Sequence, residues 1–264
     1  MKTSRRNSPL LAVAAASAAL FVALPLVSVA VRVPWARSFD LLGSAMVRKA
    51  LVVSMTTSVT ATVFVLVFGV PLAYWLSRND SLVARATRVL TVSPIVLPPV
   101  VGGIALLAAF GRRGVAGQWL HDWFGISLPF TRTAVVMAQV FVAMPFLVLS
   151  VESAFRQAGT SLDDAARTLG ATPTRIFVRV SLPSVLPAIG AGAVLSWARA
   201  FGEFGASITF AGSLPGRTQT LPMAVYELAT VDYSQALVLS LFMILVSVCI
   251  LVAMRDRWLR GGQR

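Results

Sequence analysis

Two groups of side chains in this sequence have the types and spacing for chemistry. The first is Arg199 and Glu203, four residues apart inside the apolar stretch Ser196–Gly212, SWARAFGEFGASITFAG. On a helix they share one face. Each costs roughly 2.5–3.5 kcal/mol at the centre of a membrane helix, so they should pair, face a wet cavity or lie near an interface. Two readings stay open: a structural ion pair that steadies a helix bundle, or an Arg199 that attracts an anion while Glu203 limits its residence. Gly202 and Gly205 beside them permit close helix approach or local unwinding. The second group is Ser161–Pro183, SLDDAARTLGATPTRIFVRVSLP, a polar segment with five charges between two long apolar runs. Elsewhere the residues argue against catalysis. There is no Gly-rich loop ending in Lys-Ser or Lys-Thr, no pair of histidines, no metal-ligand cluster and no nucleophile beside a base. His121 reads as a solvated loop residue, and Cys249, without a disulfide partner, as a small buried apolar residue. The chain is therefore expected to be no enzyme and to bind no metal.

The elements that must position these groups are membrane helices. Of 264 residues, 57% are hydrophobic and only 12% charged, half the charge of a soluble domain. The net charge of +13 sits in short segments between apolar runs, which speaks for membrane orientation rather than nucleic acid. Six charge-free runs, Asn7–Val31, Ala50–Ser77, Val89–Gly111, Thr133–Val151, Val180–Ala198 and Tyr233–Met254, each reach the roughly 18–20 residues that cross a bilayer core. The fifth is expected to continue past Arg199 and Glu203 to about Ala211. With the N-terminus inside, fourteen Lys and Arg lie on the cytoplasmic side, among them Lys2, Arg5, Arg6, Arg78, Arg88, Arg156 and Arg264. Eight lie outside: Arg32, Arg37, Arg48, Lys49, Arg112, Arg113, Arg132 and Arg217. The balance places both termini in the cytoplasm, with a margin narrowed by four basic residues in the first outer loop. The first apolar run is read as a retained helix; cleavage after Ser28-Val29-Ala30 is the alternative.

Between the spans, Arg32–Lys49 has some interfacial character, and the outer link Arg112–Arg132 carries Trp119 and Trp123, suited to an interface belt. Pro94, Pro98, Pro99, Gly102 and Gly103 interrupt the third span. They make either a kinked packing helix or a kink beside a substrate path. In the charged loop, Ser161 as N-cap with Asp164 three residues on predicts one short helix, with Asp163 and Asp164 at its positive end. Gly170 suits the C′ position, and Thr172-Pro173 restarts a helix to about Val180. That second helix places Ile176, Phe177 and Val180 largely on one face, before Leu182-Pro183 turns into the fifth span. Two short helices with apolar knobs form a compact plug for a partner's groove; an ordinary linker on the membrane surface is the alternative.

Asp164-Ala165-Ala166, three residues, Gly170, nine residues, then Val180-Ser181-Leu182-Pro183 resembles the EAA loop of ABC importer permeases. The departures are Asp for Glu at 164 and Val for Ile at 180, and the spacing matches throughout. The segment Ser196–Gly212, with Pro215–Pro222 and Tyr226, resembles the molybdate branch of these permeases; the sulfate and thiosulfate permeases look similar around Arg199–Gly205, and Phe204 with Gly216-Arg217-Thr218-Gln219-Thr220 favours molybdate, with tungstate next. The resemblance implies an all-α membrane protein of type I importer permease architecture: six transmembrane helices in one domain, residues 1–264, with a two-helix cytoplasmic coupling loop over 152–183. It implies a coupling surface of Asp164, Ala165, Ala166, Leu169, Gly170, Ile176, Phe177, Leu182 and Pro183 that docks into a cytoplasmic ABC ATPase. ATP and Mg would bind on that partner and no cofactor on this chain. An extracytoplasmic oxyanion-binding protein would deliver substrate, and a second permease copy would complete a homodimer in the inner membrane, with lipid around it and no nucleic acid. The implied function is import of a tetrahedral oxyanion, molybdate first, sulfate or thiosulfate as alternative. A gradient-driven carrier is the remaining reading. It would need ion-coupling groups inside the spans, and only Arg199 and Glu203 are evident there.

Overall fold

The computed structural model describes residues 9–261; Lys2, Arg5, Arg6 and Arg264 of the basic set lie outside them. Among the described residues every regular element is helical. In chain order these are α1 (Pro9–Arg32), a single 3-10 turn at Trp35–Arg37, α2 (Ser38–Leu42), α3 (Ala45–Arg78), α4 (Leu82–Val96) and α5 (Pro99–Phe110). There follow α6 (Gly117–Phe124), α7 (Arg132–Ala158), α8 (Ser161–Thr168), α9 (Pro173–Ile176), a π-helical turn at Phe177–Ser181, and α10 (Leu182–Ser184). The chain ends with α11 (Leu186–Phe201), α12 (Gly205–Ala211), α13 (Leu221–Val231) and α14 (Tyr233–Gly261).

Four of these helices, α1, α3, α7 and α14, are long and apolar enough to cross a membrane; Pro173–Ser184 and Leu186–Phe201, bent by 75° at Val185, reach that length and apolarity only when taken together, as one bent fifth passage. The expected third span is not one helix. It breaks between α4 and α5 at Leu97-Pro98, where both residues are extended (ψ 134 and 132). The cause is the Pro98-Pro99 pair: a residue before proline is pushed out of the α region, and neither ring nitrogen can donate. The expected continuation of the fifth span to Ala211 is likewise interrupted, because α11 stops at Phe201 and α12 starts afresh at Gly205. The 11-residue helix α13 was not foreseen from hydropathy, being too short to register as a span. Trp119 and Trp123 stand exposed on α6 with ring centroids 5.9 Å apart. Cys249 is exposed on α14, not buried as its apolar setting implied.

The centre of the bundle is the pair α3 and α7, with α11 laid across both. α3 turns a narrow stripe of small residues inward: Ala50, Ser54, Thr57, Ser58, Ala61 and Gly69 are all buried. Small side chains let helix backbones approach closely where hydrocarbon supplies no hydrophobic drive. The fit is tight at Gly69, where a Cβ would come within 2.9 Å of Leu147 Cδ2, and at Gly192 of α11, where it would lie 3.0 Å from Leu147 Cδ1. Two hydroxyls of the stripe serve other elements. Ser58 Oγ accepts from Trp197 Nε1 at 3.1 Å, and Ser54 Oγ accepts from the backbone N–H of Leu221 at 2.7 Å, satisfying an orphan donor at the start of α13. By contrast none of the α1 span is buried; this helix packs on α14 and shows Leu20, Phe21 and Val22 outward.

Candidate functional site

The charged loop Ser161–Pro183 folds as two short helices at one end of the α3–α7 pair. Its first helix begins one residue earlier in capping terms than expected: Thr160, not Ser161, is the N-cap, and no side chain caps it. Its end follows the expectation. Gly170 is left-handed at φ 78, its N–H bonds the Arg167 carbonyl at 2.9 Å, and the Ala171 N–H bonds the Ala166 carbonyl at 3.0 Å. This reciprocal pair closes the helix C-terminus and leaves orphan carbonyls satisfied. Thr172 Oγ1 accepts from Arg175 N and Pro173 opens α9, again as expected.

The decisive residue of the loop is Asp163, which the sequence marked only as a dipole partner. It is 3% exposed. Its Oδ2 accepts from Arg78 Nη2 at 2.8 Å, and its Oδ1 accepts from Ser181 Oγ at 2.8 Å. One carboxylate thus joins three elements: the end of α3, the short helix α8, and the π-turn that leads into the fifth passage. Arg78 is further placed by the Tyr74 ring, 5.5 Å from its guanidinium carbon, and by the Phe155 carbonyl at 3.4 Å. Tyr74 in turn packs on Phe155 and Phe177, at centroid distances of 5.2 and 4.8 Å.

That contact corrects one expectation. Ile176, Phe177 and Val180 were to be knobs turned toward a partner. Ile176 is instead 1% exposed, Val180 is half-buried, Phe177 is half-buried against Tyr74, and Leu182 is half-buried in the same core; Phe177 and Leu182 hold the loop to the bundle. The apolar side chains turn inward where Asp163 ties the loop to Arg78 of α3 and Ser181 ties the π-turn to Asp163. Pro183 stays exposed. The surface offered to solvent belongs to α8: Leu162, Asp164, Ala165, Arg167, Leu169 and Gly170 are exposed, Ala166 half-buried, and Leu169 reaches 88%. Asp164 pairs with Arg167 at 2.9 Å, an exposed contact of small energetic weight.

A second ionic knot lies at the same end. Glu152 of α7, buried, accepts from Arg88 Nε at 2.8 Å and Arg156 Nε at 3.1 Å. Both arginines also donate to the Leu76 carbonyl of α3, at 2.9 and 3.0 Å, and Arg156 reaches Asp80 at 3.3 Å. Sequence reasoning missed these residues and Arg78 and Ser181. Their partners are 85 and 64 positions away in the pairs Arg78–Asp163 and Arg88–Glu152, beyond any local periodicity. The available signal was an acid placed directly after a charge-free run and two arginines bracketing a short link.

Arg199 and Glu203 do meet. Glu203 is 1% exposed, pairs with Arg199 Nη1 through Oε2, and accepts from the Ala206 N–H through Oε1 at 2.8 Å. The carboxylate therefore sits at the positive end of α12 and supplies a cap that Phe204 cannot. The break Gly202–Phe204 lies against the other break. A Cβ on Gly205 would come within 2.6 Å of Pro99 Cβ, and one on Gly103 within 2.7 Å of the Ala206 carbonyl oxygen. Two interrupted helices are packed together at their interruptions, with the ion pair on one of them. The following loop is folded on itself: the Leu214 carbonyl accepts from the N–H groups of Arg217, Thr218 and Gln219, and Gln219 Nε2 donates to Glu227 at 2.6 Å. The Phe204 and Tyr226 rings pack in a tilted contact, centroids 5.1 Å apart. No group of three or more metal-ligating side chains occurs among the described residues.

Residues 65–260 match the family model described as "Binding-protein-dependent transport system inner membrane component". The chain is 45% identical to the "Molybdenum transport system permease protein ModB" of Mycobacterium tuberculosis, over 90% of each chain. It is 30% identical to the "Sulfate transport system permease protein CysT" of Escherichia coli, over 99% of this chain and 97% of that one. Its fold is similar to that of a chain in the crystal structure of a bacterial alginate ABC transporter bound to its periplasmic protein, with a TM-score of 0.75, 16% identity, and 96% and 94% of the two chains covered.

Proposed function

Since this chain belongs to the family of binding-protein-dependent transport system inner membrane components, an all-α, multi-pass ABC permease family of the inner membrane, we propose that it is the transmembrane subunit of an ATP-driven importer of molybdate. The observation that carries the ATP-driven part is the build of α8. It is an exposed, glycine-closed helix fastened by one buried carboxylate to both neighbouring passages. A linker merely lying on lipid has no use for such a fastening; an element that must pass force does. In this reading Asp164, Ala165, Ala166, Leu169 and Gly170 contact a cytoplasmic ATPase, which alone binds ATP and Mg. Ile176, Phe177, Leu182 and the Asp163 contacts carry its movement into α3 and α11. Both termini then lie in the cytoplasm, a second copy of the chain completes the pore, and a binding protein delivers substrate from outside.

Arg199 and Glu203 fit the structural role. The carboxylate is fully engaged by Arg199 and the Ala206 N–H, so the pair holds the break in α11–α12 open and shaped. Molybdate leads on the nearness of the molybdenum permease relatives; sulfate is the second reading, favoured by the full-length similarity to a sulfate permease. The test is uptake into proteoliposomes holding the permease and its ATPase, supplied with the binding protein and labelled molybdate, tungstate or sulfate. Molybdate uptake that needs both ATP and the ATPase is expected. Uptake that persists without the ATPase would assign the chain to the gradient-driven carriers instead.

A further inference from the structure

At the end of the bundle opposite α8, the first two turns of α3, the start of α7 and the loop after α12 border an open cavity of about 280 Å³ lined by Ala45, Arg48, Lys49, Val52, Arg132 and Gly216. We infer that this cavity is an oxyanion site of the permease itself, a docking point for a doubly charged tetrahedral anion before it crosses. The inference rests on the oxyanion reading above and adds a place to it.

Four observations converge. First, three cations line one concavity and none of them takes part in an ion pair among the described residues, whereas six such pairs exist elsewhere. Second, the site is built. Arg132 Nη2 donates to the Gly216 carbonyl at 2.9 Å, and the stem of Lys49 lies against Gly216, whose absent Cβ would sit 3.4 Å from Lys49 Cδ. Gly216 is left-handed at φ 73, so the loop presents its carbonyl to Arg132 in a conformation that suits glycine. Third, Arg132 opens α7 and Arg48 ends the first turn of α3, where the helix dipole adds positive potential, and Lys49 follows it in the next turn. A cation costs stability in a first turn, and two of the three lie there. Fourth, these residues belong to the outer basic set that runs against the positive-inside rule. Topology gives no reason for them; capture of an anion does. Two guanidinium forks and an ammonium around a hollow suit an oxyanion with several acceptor oxygens. A charged mouth of this kind raises the local concentration of the anion, in a salt-dependent way because all three cations are exposed.

The test uses the permease–ATPase complex in nanodiscs without any binding protein, with equilibrium dialysis against labelled molybdate. The expected result is saturable binding, competed by sulfate and tungstate but not by equimolar chloride, and weakened as sodium chloride is raised. Lys49→Gln combined with Arg132→Gln is expected to weaken it at least about tenfold, equivalent to about 1.4 kcal/mol. Arg132→Lys, which keeps the charge, is expected to retain more binding than Arg132→Gln. Three results would overturn the site: no binding to a complex that still imports molybdate when the binding protein is added; equal binding by the double variant; or a double variant that loses only its association with the binding protein. The first of these leaves the importer reading intact. A complex that imports no oxyanion under any supply removes that reading on its own terms.

Discussion

Replacing Asp163 tests the proposed transmission directly. The side chain of Asp163 is 4% exposed and that of Arg78 17%, so the pair is poorly screened by water. Asp163→Ala removes the partner of Arg78 Nη2 and of the Ser181 hydroxyl together. Arg78 already has its Nε buried without a partner, and it would keep only the Phe155 carbonyl and the Tyr74 face. Removing one member of a buried pair costs about 3–5 kcal/mol. That cost falls on the attachment of α8, so local opening of residues 161–171 should become easier by about two to three and a half decades, at 1.4 kcal/mol per decade. Asp163→Asn keeps the shape and one acceptor, and should lose about 1.5–3 kcal/mol, the value of hydrogen bonds to a charged group. The assay is hydrogen exchange on the permease–ATPase complex, following the amides of Asp164, Leu169, Gly170 and Ala171, which are all bonded within α8 or its cap. Uptake per ATP hydrolysed is measured alongside. Faster exchange confined to this loop, with hydrolysis retained and uptake reduced, is expected in the order Ala beyond Asn. An alanine variant with unchanged protection and unchanged uptake per ATP would refute the argument.

Gly170→Arg is expected to block or uncouple the ATPase while the permease still inserts, because φ 78 costs a non-glycine residue about 1–2 kcal/mol and the added side chain occupies the exposed face proposed to meet the ATPase; co-purification with the ATPase reads the outcome. Glu203→Ala should lower the thermal unfolding midpoint of the purified permease more than Glu203→Gln, since alanine leaves both Arg199 and the Ala206 N–H without their acceptor, a loss of about 3–5 kcal/mol. Gly205→Val should prevent close packing of α12 on α5, where even a Cβ falls 2.6 Å from Pro99, and should be read as poor recovery of folded protein in mild detergent. Ser54→Ala should cost about 1–3 kcal/mol by leaving the buried Leu221 N–H unpaired, measured as a lower unfolding midpoint.

Much of the layout was legible because lipid imposes long apolar runs, and α3, α7 and α14 lie close to where composition put them. Turn chemistry was legible too: Gly170 and Thr172-Pro173 act through their own backbone, so their roles are local. What escaped were features decided by distant partners. Hydropathy carries through Pro98 and through Glu203 without a dip deep enough to show that both helices stop there. The break at Glu203 becomes visible only when its carboxylate is seen to start a new helix. The direction of Ile176 and Phe177 depended on Tyr74, a hundred residues earlier, and on the hold of Asp163 on Arg78. Helical periodicity grouped those side chains correctly and was silent about which way the group faces.

The knot at Glu152 has a mechanical consequence. Arg88 and Arg156 share its carboxylate and both also grip the Leu76 carbonyl, so the ends of α3, α4 and α7 are welded into one lever arm. If α8 is pushed by a partner as proposed, the movement is expected to fall on the three places where the backbone is already interrupted, at Val185, at Leu97-Pro98 and at Gly202–Phe204.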